Sequence, residues 1–210
     1  PKGALPSEML ALAAAVRLFN ATHYIESGTA HGQSTETMAR FAAGTSLRII
    51  SIDNNRLCGL YNVTLARLAK YSNVRLVLDD STRLLPRLLR GLPSHSRAIV
   101  MVDGPKATAG LTLAMQALIG HARVVPAVAL HDVLPRGVAP TFNYGDLTEK
   151  LHTNWTAGGV HWLQSTTMTE LLTYAPPWRP LFAPLDWHAL NCSAPCNATS
   201  DAEHAVFTLR

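Results

Sequence analysis

Five apolar segments, each running into polar residues that include an acid, most constrain the fold of this 210-residue chain. They occupy residues 23–26, 47–53, 74–78, 98–103 and 124–131. Between them, apolar residues recur at helical spacing, as in Leu111, Met115 and Leu118. Strands that alternate with helices predict an α/β fold whose parallel sheet is covered on both faces. The acids should then meet at one edge of the sheet, where ligands bind in such folds.

The composition argues against two classes of protein. Apolar residues make up 48% of the chain and charged residues 15%, so it should fold rather than stay disordered. The net charge is +4, but Lys and Arg are scattered without the basic runs of nucleic-acid-binding proteins. The longest apolar stretch, residues 9–16, is too short to cross a bilayer. We expect no nucleic-acid partner and no membrane span within this chain.

Glycosylation motifs predict the compartment. Five asparagines open an N-x-[ST] sequence, where chance would give roughly one or two. They are Asn20, Asn62, Asn154, Asn191 and Asn197. N-linked glycans on them predict a protein of the secretory pathway lumen or the extracellular space. The alternative is coincidence in a cytosolic protein.

The cysteines support the same compartment. Cys192 and Cys196, in the sequence CSAPC, are predicted to form a disulfide, because oxidising compartments preserve such bonds. Cys58 is then free, or pairs with either of the others. The two C-terminal cysteines lie in a Pro-rich segment, about residues 175–200, which we interpret as an ordered surface insertion.

The first strand runs into the pattern E-x-G-x-x-x-G-x-S, formed by Glu26, Gly28, Gly32 and Ser34. It lacks the Gly-Lys-[ST] of a phosphate-binding P-loop and differs from G-x-G-x-x-G. Its glycines would let the backbone approach a ligand closely, whereas Glu26 would repel phosphate and suits a cationic ligand. Asp53, after the second strand, is placed to accept hydrogen bonds from ribose hydroxyls.

Residues 20–135 resemble the class I S-adenosylmethionine (SAM)-dependent methyltransferases. The resemblance rests on ESGTAHGQS, SID, DDS and VDGPK, which follow the first four strands. It implies that SAM is the cofactor. The implied cofactor-binding residues are Glu26, Ser27, Gly28, Ala30 and Gly32 for the methionine part, Asp53 for ribose, and Asp80 and Ser81 beside adenine.

VDGPK and ALHDV narrow the resemblance to families that methylate hydroxyls, including Golgi enzymes that act on glucuronic acid of xylan. The implied catalytic residues are Asp103, Lys106, His131 and Asp132, and the implied acceptor is a sugar or glycan. The same motifs resemble the cation-dependent O-methyltransferases, in which they bind a divalent metal. This resemblance implies a metal site at Asp103 and Asp132. Val133 stands where those enzymes have an Asn ligand, so the motif is incomplete.

Structural roles are the alternative for each of these residues. In this alternative, Gly28 and Gly32 serve only a tight turn, and Asp53 and Asp80 only cap helices. His131 can equally be a hydrogen-bonded core residue. Lys106 can be an ordinary solvated lysine.

We predict one domain, residues 1–210, with a doubly wound, mostly parallel seven-stranded sheet in the order 3-2-1-4-5-7-6. Its core comprises about residues 20–165 and 203–210. Segments 159–164 and 205–209 are expected to form the terminal antiparallel pair, and one helix is expected to begin at Leu85 and Pro86.

The function predicted is SAM-dependent O-methylation of a sugar or glycan hydroxyl. The alternative is a non-catalytic, secreted structural glycoprotein with the same fold that assembles with itself or with an extracellular matrix.

Overall fold

The computed structural model describes residue 4 and residues 6–54, 60–132, 161–165 and 169–173. The helices are α1 (Pro6–Leu18), α2 (Gln33–Phe41), α3 (Leu60–Leu68), α4 (Ser81–Gly91) and α5 (Ala107–Gly120). The strands are β1 (His23–Ser27), β2 (Arg48–Asp53), β3 (Val74–Leu78), β4 (Ala98–Val102), β5 (Ala127–His131), β6 (His161–Ser165) and β7 (Thr169–Thr173).

The strands form one sheet in the order β3-β2-β1-β4-β5-β7-β6. Strands β1 to β5 pair in parallel, and β7 runs antiparallel to both β5 and β6. The strand order therefore reverses between β1 and β4, whose residues Ser27 and Val102 are register partners. This arrangement confirms the predicted doubly wound α/β fold and places the switch point beside the loop that follows β1.

Of the two terminal strands, β6 lies close to the predicted segment 159–164, whereas β7 differs from the prediction. Thr169–Thr173, not residues 205–209, lies between β5 and β6, and its Thr173 hydroxyl donates to the Pro126 carbonyl at 2.6 Å. Only residues 166–168 separate β6 from β7, so the pair closes a short loop, which costs less chain entropy than a long one. Residues 203–210 of the predicted core lie outside the described residues.

The core lies along the central strands. Every residue of β4 and β5 is buried, as expected for parallel strands covered on both faces. Apolar side chains of α4 and α5, including Leu85, Leu89 and Leu118, pack in the same cluster as Val100 and Val128. The ends of β4 and β5 are therefore supported by the packed core.

Helix α4 begins at Ser81, earlier than predicted, and Pro86 lies inside it. Asp80 caps this helix, because its Oδ1 accepts hydrogen bonds from the backbone N–H and the hydroxyl of Thr82, at 2.8 and 2.7 Å. A proline inside a helix removes one hydrogen bond, and its ring crowds the carbonyl four residues earlier. The helix continues through Pro86 because the Asp80 cap and the buried Leu85 and Leu89 stabilise the turns on both sides.

Compactness divides the chain into Pro1–Pro176 and Pro177–Arg210. All the helices and strands given above belong to the first unit, and the second lies outside the described residues, as does the predicted insertion at about 175–200. Among the described helices, none has the length and apolar character that crossing a membrane requires.

Candidate active site

The loop between β1 and α2 is held by the strand-end acid of β2. Oδ2 of Asp53 accepts hydrogen bonds from the backbone N–H groups of Thr29 and Ala30, at 2.9 and 2.8 Å. The Thr64 hydroxyl of α3 donates to the Ala30 carbonyl at 2.8 Å. Ala30 has a φ of +44°, a left-handed conformation that is unfavourable for alanine and persists here because both of its peptide groups are held.

The same loop lies directly against the loop that follows β4. Gly28 has a φ of +94°, and a Cβ atom there would lie 2.9 Å from the backbone nitrogen of Gly104. The Ser27 hydroxyl donates to the Gly104 carbonyl. Glycine is therefore required at position 28 both for its backbone conformation and for this close approach. The two loops meet at the switch point of the sheet.

Gly32 closes the loop at the start of α2. It has a φ of +72° and precedes the helix as its N-cap residue. A Cβ atom at this position would lie 2.9 Å from Cγ2 of Thr64. The glycines of the motif thus serve a tight turn, and one of them also serves the contact between the two loops.

Glu26 is fully buried, and its carboxylate is turned toward hydroxyl groups. The hydroxyls of Ser34 and Thr35 on α2 donate to it, and that of Ser51 on β2 donates at 3.1 Å. Burial raises the pKa of Glu26 to about 7, against the opposing effect of these hydrogen bonds. The predicted contact of Glu26 with a cationic ligand would require this hydroxyl network to rearrange. Ser34, Thr35 and Ser51 were not predicted as site residues, although Ser34 ends the motif.

Asp80 and Ser81 lie at the start of α4. Asp80 is exposed and caps the helix, as the structural alternative predicts, whereas Ser81 is buried. The predicted position of both residues beside adenine stays a prediction.

Four side chains converge beyond the ends of β4 and β5. Lys106 Nζ donates to Asp103 Oδ1 and to Asp132 Oδ2. Nδ1 of His131 lies 2.9 Å from Asp103 Oδ1 and 3.2 Å from Asp132 Oδ1. Asp132 has a φ of +63°, a strained conformation that is typical of functional sites. All four residues predicted to be catalytic therefore form one group, which we call the charged cluster.

The charged cluster favours the ionised forms of His131, Lys106 and Asp132. Burial of His131 opposes its charge, but Asp103, Asp132 and Glu8 outweigh burial and raise its pKa to about 11. Burial likewise opposes the charge of Lys106, and Asp103 and Asp132 overcome it, so the pKa of Lys106 is raised. Although burial acts against it, His131 and Lys106 lower the pKa of Asp132 to about 2. At neutral pH, His131 and Lys106 are thus cations and Asp132 is a carboxylate.

Glu8 is a member of this environment that the sequence did not reveal. It lies in the first turn of α1, is fully buried, and places Oε2 3.4 Å from His131 Nε2. An acid in a first helical turn is commonplace, because it favours the positive end of the helix dipole. Nothing in the sequence therefore distinguishes Glu8 from a solvated residue.

The ligand atoms of the charged cluster are spaced as in a metal site, but the cluster also contains the cations Lys106 and His131. Ligand atoms of Asp103, His131 and Asp132 lie within 4.8 Å of one another. However, the Lys106 ammonium bridges the two carboxylates, and a metal requires a neutral imidazole whereas His131 is held protonated. With Lys106 in this position the residues do not fit a divalent ion. The predicted metal site at Asp103 and Asp132 stays a prediction for chelation to test.

The predicted glycosylation sites are described only in part. Asn20, after α1, and Asn62, on α3, are both exposed. The remaining predicted residues, Asn154, Asn191, Asn197, Cys58, Cys192 and Cys196, lie outside the described residues.

Solved structures similar to this chain include O-methyltransferases and other methyltransferases, whereas no family model and no curated protein matches the chain. TomG from Streptomyces achromogenes, an O-methyltransferase in complex with SAM, has a TM-score of 0.58 at 19% identity and 81% coverage of both chains. The SAH-bound methyltransferase PaMTH1 from Podospora anserina has a TM-score of 0.58 at 14% identity, covering 83% of this chain and 80% of its own. An O-methyltransferase from Bacillus cereus in complex with SAH also has 0.58, at 13% identity, covering 82% and 84%. The chain has the class I methyltransferase fold.

In this fold, the described site residues fall into two groups. The loop from Ser27 to Gly32, with Asp53, lies at the switch point between β1 and β4. The charged cluster lies beyond β4 and β5, on the next strands of the same sheet edge. A cofactor region and a reaction region can therefore lie side by side.

Proposed function

We propose that the protein is a SAM-dependent O-methyltransferase. The observation that carries this proposal is the placement of the charged cluster beside the glycine-containing loop at the switch point of a class I methyltransferase fold. Ligands of open α/β sheets bind at this edge. The likeness to methyltransferases whose structures contain SAM or SAH supports the same cofactor here.

The loop following β1 fits such a cofactor. It has no basic side chain between Ser27 and Gly32 apart from His31, so its design is not that of a phosphate-binding loop. Its backbone is held open by left-handed residues at Gly28, Ala30 and Gly32. When bound there, SAM supplies an electrophilic methyl group on its sulfonium. Asp53 would contribute by holding the loop through the amides of Thr29 and Ala30.

The charged cluster limits which residue can remove the acceptor proton. Both ring nitrogens of His131 face carboxylates, and Lys106 is kept as an ammonium, so neither is a base at neutral pH. Asp103 and Asp132 remain, and we assign the base to Asp132, because its contact with His131 is the longer of the two, 3.2 against 2.9 Å. Asp132 is half-buried and ionised. A carboxylate of low pKa suffices, because a hydroxyl becomes strongly acidic as its oxygen is alkylated. Asp132 would orient the hydroxyl in the ground state and accept its proton during transfer, while Lys106 and His131 hold Asp132 in place.

We further propose that the acceptor is a sugar or glycan and that the protein acts in the secretory lumen. The support is the five glycosylation motifs, of which the two in the described residues, at Asn20 and Asn62, are exposed. Mass spectrometry of the protein from its native source should find N-linked glycans on these two asparagines. Unmodified peptides covering both would contradict the proposed compartment and leave the methyltransferase proposal standing.

Titration calorimetry with SAM and with its demethylated product SAH tests the cofactor directly. We expect binding of both, and Asp53→Ala should weaken it by about 1 kcal/mol or more, because the loop loses its anchor. Asn73→Ala is a suitable control: its amide donates to Leu47 at the opposite end of the sheet. An intact, folded sample that binds neither compound would contradict the proposal and favour the structural glycoprotein.

Methyl transfer from labelled SAM to a panel of uronic acids and glycans then tests the reaction. Asp132→Asn should reduce kcat by about 100-fold or more, the range for loss of a general base. We expect activity to persist after treatment with a chelator, because Lys106 bridges the two carboxylates that a metal would need. Activity that is lost with the chelator and restored by a divalent ion would instead establish the metal site at Asp103 and Asp132.

A further inference from the structure

A buried carboxylate on α1 lies against the His131 ring of the charged cluster. Glu8 is fully buried, and its Oε2 lies 3.4 Å from Nε2 of His131. His131 is itself 4% exposed. An acid sealed from water is costly unless it is paired, so its position is tied to the residues that it faces.

The His131 ring lies between acids on both sides. Its Nδ1 faces Asp103 and Asp132, at 2.9 and 3.2 Å, and its Nε2 faces Glu8. Nε2 makes no hydrogen bond of regular geometry within the described residues, so the Glu8 contact is an ion pair at the long end of hydrogen-bond distance. Glu8 therefore faces the ring nitrogen that Asp103 and Asp132 do not contact.

The acids on the two sides of the ring come from different layers of the fold. Glu8 is carried by α1, whose Leu12, Ala15 and Val16 are buried, whereas Asp103 and Asp132 follow β4 and β5. Glu8 thus connects a covering helix to the reacting edge of the sheet through a single imidazole. This is how outer partners orient the histidines that act in many sites.

We propose that Glu8 is a positioning residue, which fixes the orientation of the His131 ring and, through it, the carboxylates of Asp103 and Asp132. The proposal deepens the proposed function and rests on it, since the oriented carboxylate is the one that receives the acceptor proton. Glu8 touches neither acceptor nor cofactor in this scheme. Its removal should therefore lower kcat and leave the affinity for SAM unchanged.

Two variants separate orientation from charge. Glu8→Gln removes the charge but keeps an acceptor oxygen at the same distance, whereas Glu8→Met has a similar length and no strong acceptor. We expect Glu8→Met to lower kcat by roughly 10- to 100-fold, the range found for orienting partners. Glu8→Gln should retain more activity than Glu8→Met. Arg17→Gln, which removes an exposed charge in the last turn of the same helix, is the control and should keep wild-type kcat.

The second readout does not depend on catalysis. In protein labelled with ¹⁵N-histidine, the Nε2–H proton of His131 should be protected from exchange with water at a fixed pH near neutrality. The signal is assigned by its absence in His131→Gln. It should persist in Glu8→Gln and disappear in Glu8→Met. If Glu8→Met does not fold, Glu8→Asp replaces it, because aspartate withdraws the carboxylate by one methylene.

The outcomes separate this proposal from the proposed function. Equal kcat losses in Glu8→Gln and Glu8→Met, with an unchanged His131 signal, would overturn the positioning role and leave a purely electrostatic one. Wild-type kcat in Glu8→Met would also overturn it. If the wild-type protein transfers no methyl group, the proposed function fails. The His131 signal then still decides whether Glu8 orients the ring.

Discussion

At position 28 the backbone leaves no room for a side chain. A Cβ atom there would lie 2.9 Å from the nitrogen of Gly104 and 3.0 Å from the carbonyl carbon of Asp103, and both are backbone atoms that cannot turn aside. Gly44 has a similar φ, +77°, but has nothing within 4 Å of its hypothetical Cβ. The two glycines share a conformational cost on substitution and differ in the steric one.

Gly28→Ala should therefore destabilise the protein more than Gly44→Ala. Each alanine pays about 1 kcal/mol or more for its left-handed conformation. Gly28→Ala should lose roughly 1–3 kcal/mol more, because the loops after β1 and β4 must separate. The measurement is the free energy of unfolding in urea. Equal losses for the two variants would show that the loops are not in contact.

Single residues also mark the limit of what the sequence reveals. Asp53 was predicted as a ligand of ribose, and its strand-end position follows from the hydrophobic pattern. The hydrophobic pattern does not reveal that Oδ2 of Asp53 accepts hydrogen bonds from the amides of Thr29 and Ala30. These contacts depend on the path of a neighbouring loop. Glu8 was missed for the same reason: its burial arises from how α1 packs on the sheet.

At the scale of elements, local sequence signals were sufficient to predict the central strands and insufficient to predict the last strand, β7. Val74–Leu78 has the predicted bounds, since a short apolar run between polar residues has few alternatives. Thr169–Thr173, with the sequence TELLT, has no comparable signal, and its strand conformation depends on pairing with β5 and β6. Helix α4 was predicted to begin too late because Pro86 suggested a helix start, whereas Asp80 provides the cap.

Helices α2 and α3 are joined by one acid. Glu36 of α2 forms ion pairs with Arg40, Arg67 and Lys70 at 3.0, 3.5 and 2.9 Å, and it accepts a hydrogen bond from the Tyr71 hydroxyl at 3.2 Å. The hydrogen bond from Lys70 is the largest cause that lowers the pKa of Glu36 to about 2. This network fastens α3, which carries Thr64, near the loop after β1.

Glu36→Gln should reduce the free energy of unfolding by about 1 kcal/mol or less, because its partners are largely solvated. The loss should shrink when unfolding is measured in about 0.5 M salt, since screening weakens the wild-type pairs. Ser72→Ala, at an exposed position beside Tyr71, provides the comparison. A loss that does not change with salt would indicate that packing, rather than charge, joins the helices.

At the scale of the whole molecule, the described site encloses more ionisable groups than its burial would favour. Glu8, Glu26 and His131 are all buried, and each lies at or behind the edge where the strands end. A protein with no use for this edge would gain stability from apolar residues of similar volume at these positions. Their presence is consistent with a site in which function requires groups that reduce stability.

The stability lost by burying Glu26 can be measured as a dependence of the free energy of unfolding on pH. Its pKa is raised by burial from 4.5 to about 7 in the folded protein, so between these values the folded state binds more protons than the unfolded state. The free energy of unfolding contributed by this group is therefore highest below pH 4.5 and falls as the pH rises to about 7. The full span of the shift corresponds to about 3 kcal/mol.

The comparison with Glu26→Gln isolates this effect, because His131, Asp132 and Glu36 titrate in both proteins. Glutamine has the same shape and keeps an acceptor for the hydroxyls of Thr35 and Ser51, but it has no proton to release. We expect urea unfolding at a series of pH values to show the wild type gaining stability relative to Glu26→Gln as the pH falls from about 7 to 4.5. A difference that stays constant across this range would mean that the Glu26 carboxyl keeps its ordinary pKa. The hydroxyls of Ser34, Thr35 and Ser51 would then compensate fully for its burial, and the carboxylate would be available in its ionised form at the switch point at every physiological pH.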